Sequence, residues 1–354
     1  MTRSGTPSTV RDRAGARRLS RDLWNRTALC GALVGVVSSF TTPAMALPVL
    51  ANMQSQVSVS GEGPSSVGRP GGVELDITLH APRTVIDWSS YDVAAGEKVS
   101  YAFNARNWIV LNRINEATPP TINGIVEGRV NGAYGGNIWF ASRNGMIFGP
   151  GARVDAGGIL VTTASPGPDD VQRFLDPNNL TFNFSGEDVA DGAMIAMQAG
   201  SSINGHGGLV ALIAPTIVTE AGSSVTGLNG SDVLYGVTTG YQLRLAQGAP
   251  GDFDLVDFLI PSTEAGSGST IGLDLQNTTT ANSVFVAMVS RADASSAVIN
   301  LQGMITAQAA TADGGDIILS GSGGIVGKAI GPSLGGTNTD IYLHLASASR
   351  DIQL

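Results

Sequence analysis

The feature that most limits how this chain can fold is a series of short β-branched and aromatic runs separated by turn residues. Between Trp108 and Thr163 these runs alternate with glycine- and asparagine-rich turns, and the apolar residues follow no helical period. Ile147 and Phe148, for example, immediately precede a turn at Gly149–Gly151. Strands of three to five residues joined by tight turns are typical of a chain wound into stacked coils. The sequence therefore predicts an all-β fold, a right-handed parallel β-helix or solenoid.

The composition fits a coil of strands. The chain contains 47 glycines, and glycine readily adopts the positive φ angles that tight turns between strands require. Valine, isoleucine, leucine and alanine are available to fill the interior. A single coil cannot bury its own apolar face, so stability has to accumulate by stacking. Because an open first coil would expose unpaired backbone, we also expect a small β cap at the N-terminal end, and extra hairpins outside the coil.

Several pieces of this pattern carry a family resemblance. In chain order they are Leu111-Asn112-Arg113-Ile114, Ile122-Asn123-Gly124, Asn144-Gly145-Met146-Ile147-Phe148-Gly149, Val154-Asp155-Ala156-Gly157-Gly158-Ile159 and Thr162-Thr163. In order and spacing they resemble the secretion domain of filamentous haemagglutinin-type adhesins, which are exported by the two-partner route. A later piece, Gly205–Pro215, also resembles that family. The chain departs from the family at Ser142-Arg143, where the pattern usually has Asn-Pro.

The resemblance implies a function in export and adhesion. A domain of this family would be recognised in the periplasm by the POTRA domains of a dedicated outer-membrane barrel. It would then fold outside the cell as the first coils of an adhesive filament, with host or bacterial surface glycans as candidate partners. The motif residues Asn112, Arg113, Asn144 and Gly145 are the candidate site. They serve either transporter recognition or the geometry of the coil, and the sequence leaves both roles open.

The N-terminal residues have the form of a secretory signal. A basic region of 23 residues precedes an apolar run, Ala28–Phe40, and Ala44 and Ala46 offer small side chains for cleavage after Ala46. An apolar run of 13 residues is too short to cross a hydrocarbon core about 30 Å thick. We therefore expect a protein that is secreted or surface-exposed in a Gram-negative bacterium, by way of the periplasm, and that does not span the membrane.

Three segments follow from this interpretation. Residues 1–46 are the signal with an extended basic region, and residues 47–280 are the two-partner-secretion domain. Residues 281–354 are further coils, either the start of a filament or a truncated C-terminus. Loss of residues 1–46 leaves 13 basic and 27 acidic side chains, a net charge of −14. Such a surface repels nucleic acid.

Cysteine use agrees with an exported chain. The one cysteine, Cys30, lies in the expected signal, so the mature chain has no thiol. A chain without thiols cannot be trapped by disulfides in an oxidising periplasm. This property suits export in an unfolded state.

The sequence offers little support for catalysis, metal binding or a cofactor. The dense acidic groups lie in segments predicted as loops, without a basic or histidine partner nearby in sequence; they are Asp169, Asp170, Asp252, Asp254 and Asp257. We interpret them as solvated loop acids. The histidines have no metal-ligand spacing; they are His80, His206 and His344. We therefore predict no enzyme, no metal and no cofactor. The alternatives are a β-helical polysaccharide-acting enzyme, or a surface structural protein without a dedicated transporter.

Overall fold

The short runs form strands that stack into three long sheets. The structure, a computed structural model, describes residues 47–52, 57–60, 74–248, 251–260, 272–288 and six strands between residues 298 and 353. No helix in this part of the chain is both long enough and apolar enough to cross a membrane. The described residues all belong to one unit, Pro43–Leu354.

Three sheets form the faces of the coil. Sheet A contains, in spatial order, β1 (Val49–Asn52), β4 (Arg83–Ser90), β6 (Ile109–Ile114), β10 (Asn137–Ser142), β13 (Gly158–Thr162), β17 (Val210–Ala214), β20 (Val233–Val237), β25 (Val284–Met288), β28 (Ile317–Gly321) and β30 (Ile341–Leu345). Sheet B contains β7 (Thr121–Ile122), β11 (Gly145–Phe148), β15 (Met194–Met197), β18 (Thr216–Thr219), β23 (Gly272–Leu275), β26 (Val298–Leu301), β29 (Gly324–Gly327) and β31 (Ile352–Gln353). Sheet C contains β2 (Val57–Ser60), β3 (Glu74–Leu79), β5 (Lys98–Phe103), β8 (Ile125–Val130), β12 (Arg153–Ala156), β16 (Ser202–His206), β19 (Ser224–Leu228), β24 (Thr278–Ala281) and β27 (Met304–Ala307).

Further elements lie outside the three-sided coil. An antiparallel outer sheet contains β14 (Thr181–Phe184), β21 (Tyr241–Gln247) and β22 (Phe253–Leu259). The helix α1 (Pro168–Leu175) precedes it, and β9 (Ala133–Tyr134) forms a hairpin with β8. These elements are the extra hairpins that the sequence predicts outside the coil.

The coil is a parallel β-helix, as the sequence predicts. One turn of the chain passes through β10, β11 and β12, and β13 then pairs in parallel with β10. The register places Asn137 beside Gly158 and Phe140 beside Val161. Each strand thereby finds its hydrogen-bond partners in the coils below and above it.

Alternation along each strand divides the apolar side chains between two cores. In β10, Ile138 and Phe140 belong to the core inside the coil. Trp139 and Ala141 face outward into a second core beneath the outer sheet and α1, where Trp139 meets Phe182 edge-on at 4.8 Å. Both faces of these sheet A strands are therefore buried, which explains continuous apolar runs such as that of β17.

The N-terminal end carries the expected cap. β1 pairs antiparallel with β4, and β2 pairs antiparallel with β3. β1 and β2 run antiparallel to the first coil strands, and they cover the starting edges of sheets A and C. A covered edge cannot pair with another chain.

The local sequence pattern also predicts a strand over Val93–Phe103, a single helical turn over Val171–Leu175 and a loop-rich segment over Gln247–Gly268. The structure corrects all three. The segment Val93–Phe103, predicted as one strand, forms a strand only over Lys98–Phe103, because Gly96 at φ +89° makes a turn before it. Val171–Leu175 is part of the eight-residue helix α1 rather than a single turn. The predicted loop Gln247–Gly268 contains β22, whose pairing with β21 supplies the partner that the local sequence does not reveal.

Gly145 shows how closely the coils approach each other. It has φ +95° and lies beside Met194 in the register of sheet B. A Cβ atom at this position would lie 2.7 Å from the Met194 backbone nitrogen and would collide with the Met194 carbonyl oxygen. Gly96 also has a positive φ, +89°, but a Cβ there would meet no atom within 4 Å. A side chain at Gly96 would therefore add backbone strain alone, whereas a side chain at Gly145 would add both backbone strain and a collision with the next coil.

We predict that Gly145→Ala destabilises the domain more than Gly96→Ala. Gly96→Ala should cost about 1–2 kcal/mol, the cost of placing an L-residue at positive φ. Gly145→Ala should cost about 1–3 kcal/mol more, because the backbone of the next coil has to shift. Urea denaturation of both variants measures the difference. Equal losses would show that the coil-to-coil contact at Gly145 contributes nothing.

Candidate functional site

Asn112, the first candidate residue, lies inside the coil. It is fully buried in β6. Its Oδ1 accepts hydrogen bonds from Trp88 Nε1 at 2.9 Å and from the Tyr101 hydroxyl at 2.8 Å. Its Nδ2 donates to the Trp139 carbonyl oxygen at 3.1 Å. Its register neighbours in sheet A are Ile86 and Phe140, so a structural role of Asn112 does not come from stacking on other asparagines.

The tyrosines around Asn112 keep this polar network uncharged. The hydroxyl groups of Tyr91 and Tyr101 lie 2.7 Å apart. Burial raises the pKa of both phenols above the ordinary range. The hydrogen bond between them lowers the pKa of Tyr91 and raises that of Tyr101, and the hydrogen bond to Asn112 lowers the pKa of Tyr101 without offsetting burial. Both groups therefore stay protonated and act as donors. Asn112 is fixed from three sides in the interior, and a partner could contact it only before the coil closes.

Arg113 points to the opposite side of the same strand. Its Nε and Nη2 donate to the two carboxylate oxygens of Asp87 at 2.7 and 2.8 Å. The pair lies at the edge of a cleft of about 740 Å³ formed by the N-terminal cap, the first coils and the start of α1. The motif residues Asn112 and Arg113 are adjacent in sequence, but the structure does not bring them into one site.

Asn144 and Gly145 form the turn from sheet A to sheet B. Asn144 Nδ2 donates to the Glu116 carbonyl oxygen at 2.6 Å, which ties this turn to the loop that follows β6. Ser142, at the first position of the Ser142-Arg143 departure, is buried, and its hydroxyl has no hydrogen-bond partner among the residues that the structure describes. The contacts of this turn are those of a structural element. Ala44 and Ala46, the expected cleavage residues, lie outside the described residues.

Two groups of interacting charged residues were not predicted from the sequence. On the outer face of sheet C, Asp155 is 2% exposed and accepts hydrogen bonds from Arg153 Nε at 2.5 Å and from His206 Nε2 at 3.2 Å. The His206 ring stacks on Tyr134 of β9 at 4.5 Å. The spacing of Arg153 and Asp155 on one face of a strand is the signal that could have predicted this group.

The second group fastens the outer sheet to the coil. The Nε–H of Arg106 is shared between the two carboxylate oxygens of Asp252, at 2.8 and 2.9 Å, although 146 positions separate the two residues. Asp252 is 5% exposed, so its interpretation as a solvated loop acid is wrong. Arg106 also donates to the carbonyl oxygens of Tyr134 and His206. Because Arg106 and Asp252 are so far apart in the chain, no local sequence pattern indicates that they pair.

Metal ligation finds no support in the described part of the chain. No group of three or more histidine, cysteine, aspartate or glutamate residues there could hold a metal ion. Two of the acids named from the sequence are instead paired with cations: Asp252 with Arg106, and Asp170 with Arg173 at 3.2 Å. The prediction that no basic partner lies nearby in sequence is therefore wrong for Asp170.

Comparison with known families decides what the capped coil is. Residues 68–335, about three quarters of the chain, match the family described as TPS secretion domain. The chain belongs to the TPS secretion domain family. Membership confirms the resemblance seen in the motifs and makes the chain a secreted substrate of the two-partner route, as found in Gram-negative bacteria.

Individual relatives are more distant. The Heme/hemopexin-binding protein of Haemophilus influenzae is 25% identical over 124 residues, which are 35% of this chain and 12% of that protein. The secretion domain of HMW1 from Haemophilus influenzae has a TM-score of 0.46 and 16% identity, covering 80% of this chain and 72% of its own. The filamentous hemagglutinin secretion domain has a TM-score of 0.38 and 14% identity, covering 87% of this chain and 99% of its own.

We predict that Asn112→Ala destabilises the TPS domain. The substitution leaves Trp88 Nε1 and the Tyr101 hydroxyl buried without an acceptor, at about 1–3 kcal/mol for each group. Thermal melts of the purified domain should show a clear fall in Tm. Asn178→Ala, at an exposed asparagine on the outer segment, serves as the matched control and should leave Tm nearly unchanged. An unchanged Tm for Asn112→Ala would show that Asn112 has no structural role. Recognition of the unfolded chain by the transporter would then be its one remaining candidate role.

We also predict opposite pH effects at two aspartates. Burial alone would raise the pKa of Asp155, but the hydrogen bonds from His206 and Arg153 outweigh it, so the pKa is lowered. The stability that Asp155 contributes is therefore present above the unfolded value, about 3.9, and is lost as pH falls through the folded pKa. Burial and then the nearby Asp252 raise the pKa of Asp254, so its carboxylate costs stability at neutral pH.

Asp155→Asn should therefore be less stable than the unchanged protein at pH 7, and the difference should shrink below about pH 4. Asp254→Asn should be more stable at pH 7, and that difference should also shrink on acidification. Urea denaturation between pH 7 and pH 3 measures both. The same sign for both variants at pH 7 would contradict this account.

Proposed function

We propose that this chain is an adhesin-type two-partner-secretion substrate whose domain, residues 47–280, directs it to a dedicated outer-membrane barrel and starts β-helix folding outside the cell. The barrel would recognise the chain through its periplasmic POTRA domains. The observation that carries the proposal is the capped first coil of a TPS secretion domain, β1 against β4 and β2 against β3. A capped end gives folding a defined starting point.

Stacking supplies a physical reason for export in this direction. Each new strand pairs in parallel with the strand one coil earlier, as β13 does with β10 and β17 does with β13. A coil that forms outside therefore offers the next emerging segment a ready edge. Strand pairing and burial on that side would draw the chain outward without ATP, because the folded state exists only there.

The remaining segments take their roles from this proposal. Residues 1–46 serve as the signal, with cleavage between Ala46 and Leu47. Residues 281–354 continue the coil as the start of a filament. Surface glycans of the host or of other bacteria are the proposed partners of the exported adhesin, which would be held at the cell surface or released.

An enzymatic role has less support. A glycan-cleaving β-helix needs two carboxyl groups free to act as acid and base or nucleophile. Two of the three acids Asp252, Asp254 and Asp257 are already engaged, since Asp252 binds Arg106 and Asp257 lies 3.6 Å from Arg244. We propose no catalytic residue in this domain. Release of reducing sugar from a glycan panel would overturn that proposal, and secretion without a barrel would favour a surface structural protein.

We predict that secretion depends on the partner barrel. The chain with its signal residues, expressed in a Gram-negative host together with a partner barrel of the two-partner route, should reach the medium with Leu47 as its first residue. N-terminal sequencing and immunoblotting of the medium measure this. The same host without the barrel is the control and should retain the chain in the periplasm. Equal secretion in both hosts would contradict the proposed route.

A further inference from the structure

We propose that the cleft beside Arg113 binds a short saccharide that is either uncharged or carries an amino group. This proposal rests on the adhesion part of the proposed function and locates a ligand-binding site for it in this cleft. The cleft lies where three parts of the fold meet: the cap strand β1, the strands β4 and β6, and the segment around α1. Its volume, about 740 Å³, falls within the range of about 300–1,000 Å³ usual for small-molecule sites.

Fixed polar groups face this cleft. The two-point hydrogen bond between Arg113 and Asp87 holds both side chains in place. Within the described part of the chain, Arg113 Nη1 has no hydrogen-bond acceptor, although the side chain is 30% exposed. A planar guanidinium beside a carboxylate presents donors and acceptors side by side, and a sugar hydroxyl can use both kinds of group. The pair is therefore ready for a ligand before the ligand arrives.

Two exposed amides on different elements extend this set. Asn115 follows β6, and Gln172 lies on α1. Neither side chain makes a hydrogen bond with another described residue, so both can donate and accept without giving up a contact. Pro166 and Val171 also line the cleft and add a little apolar surface. Polar groups arranged around a little apolar surface suit a ring that has hydroxyl groups at its edge and C–H groups on its face.

The charge of the cleft selects among saccharides. Glu187 and Asp188 are exposed on its rim and have no cationic partner in the described part of the chain. Since Arg113 is balanced by Asp87, these two acids leave the cleft with an excess of negative charge. Acidic or sulfated saccharides would be repelled there, whereas an amino group would be attracted.

Calorimetry with the purified mature chain tests the proposal. The probes are tetramers of glucosamine and of N-acetylglucosamine; the comparison ligands are sialyllactose, a sulfated heparin tetrasaccharide and a tetralysine peptide. We expect binding of the first two only. Asn115→Ala and Gln172→Ala should each weaken that binding about fivefold. Gln247→Ala, at an exposed glutamine of β21 away from the cleft, is the matched control and should bind normally.

Substitution of the two acidic residues on the rim, Glu187 and Asp188, provides a second test. Glu187→Gln combined with Asp188→Asn should weaken binding of the glucosamine tetramer and leave the N-acetylglucosamine tetramer unaffected. Tm values of all variants show that they are folded. Binding of the acidic saccharides, binding of tetralysine alone, no saccharide binding at all, or an equal loss for Gln247→Ala would each overturn the proposal.

Secretion separates this proposal from the proposed function. The double variant Asn115→Ala/Gln172→Ala should still be exported through the barrel, since both side chains are exposed and outside the coil core. Loss of saccharide binding with normal export would support the cleft as a ligand site. Failure of the unchanged protein to use the barrel would count against the export function and leave the cleft to be judged by calorimetry alone.

Discussion

The parallel hydrogen-bond ladder between successive coils is the constraint on which the rest of this structure depends. Between the sheet edges, the strands of sheets A, B and C take their partners from the coils before and after them, as β10 does from β6 and β13. Residues at the coil corners must therefore allow close approach of backbones. Gly145 meets this requirement, because any side chain there would collide with Met194. An error in one coil would spread to the coil that is built on it.

Polar groups fix the first coils and the outer sheet in place. Inside, Asn112 joins Trp88 and Tyr101 across sheets A and C. Outside, Arg106 holds Asp252, and Arg83 donates to the Asn107 carbonyl oxygen at 2.9 Å. Burial lowers the pKa of Arg83 to about 10, which still leaves it charged at neutral pH. Buried polar contacts of this kind favour one arrangement, because a displaced partner would leave a group unsatisfied.

These contacts bear on how a secretion domain begins to fold. The cap and the Asn112 network involve only residues before Phe148, so the first coils can form from the part of the chain that precedes it. The Arg106–Asp252 contact needs a residue 146 positions later, and the outer sheet can therefore be fastened only after several coils have formed. The cleft beside Arg113 also needs α1 and the segment at Ser185–Asp188, so it is completed after the coil beneath it.

The sequence by itself determined the β-helix, the family and most strand positions, because a period-two pattern and glycine-rich turns are local properties that each coil repeats. It identified Asn112, Arg113, Asn144 and Gly145 as candidate residues, but it could not show which groups surround each of them in the folded chain. Adjacent residues of a strand face opposite sides of a sheet, so only the tertiary structure decided that Asn112 is buried and that Arg113 faces a cleft. Partners such as Arg106 and Asp252 were decided by stacking, which brings together residues that no sequence window contains.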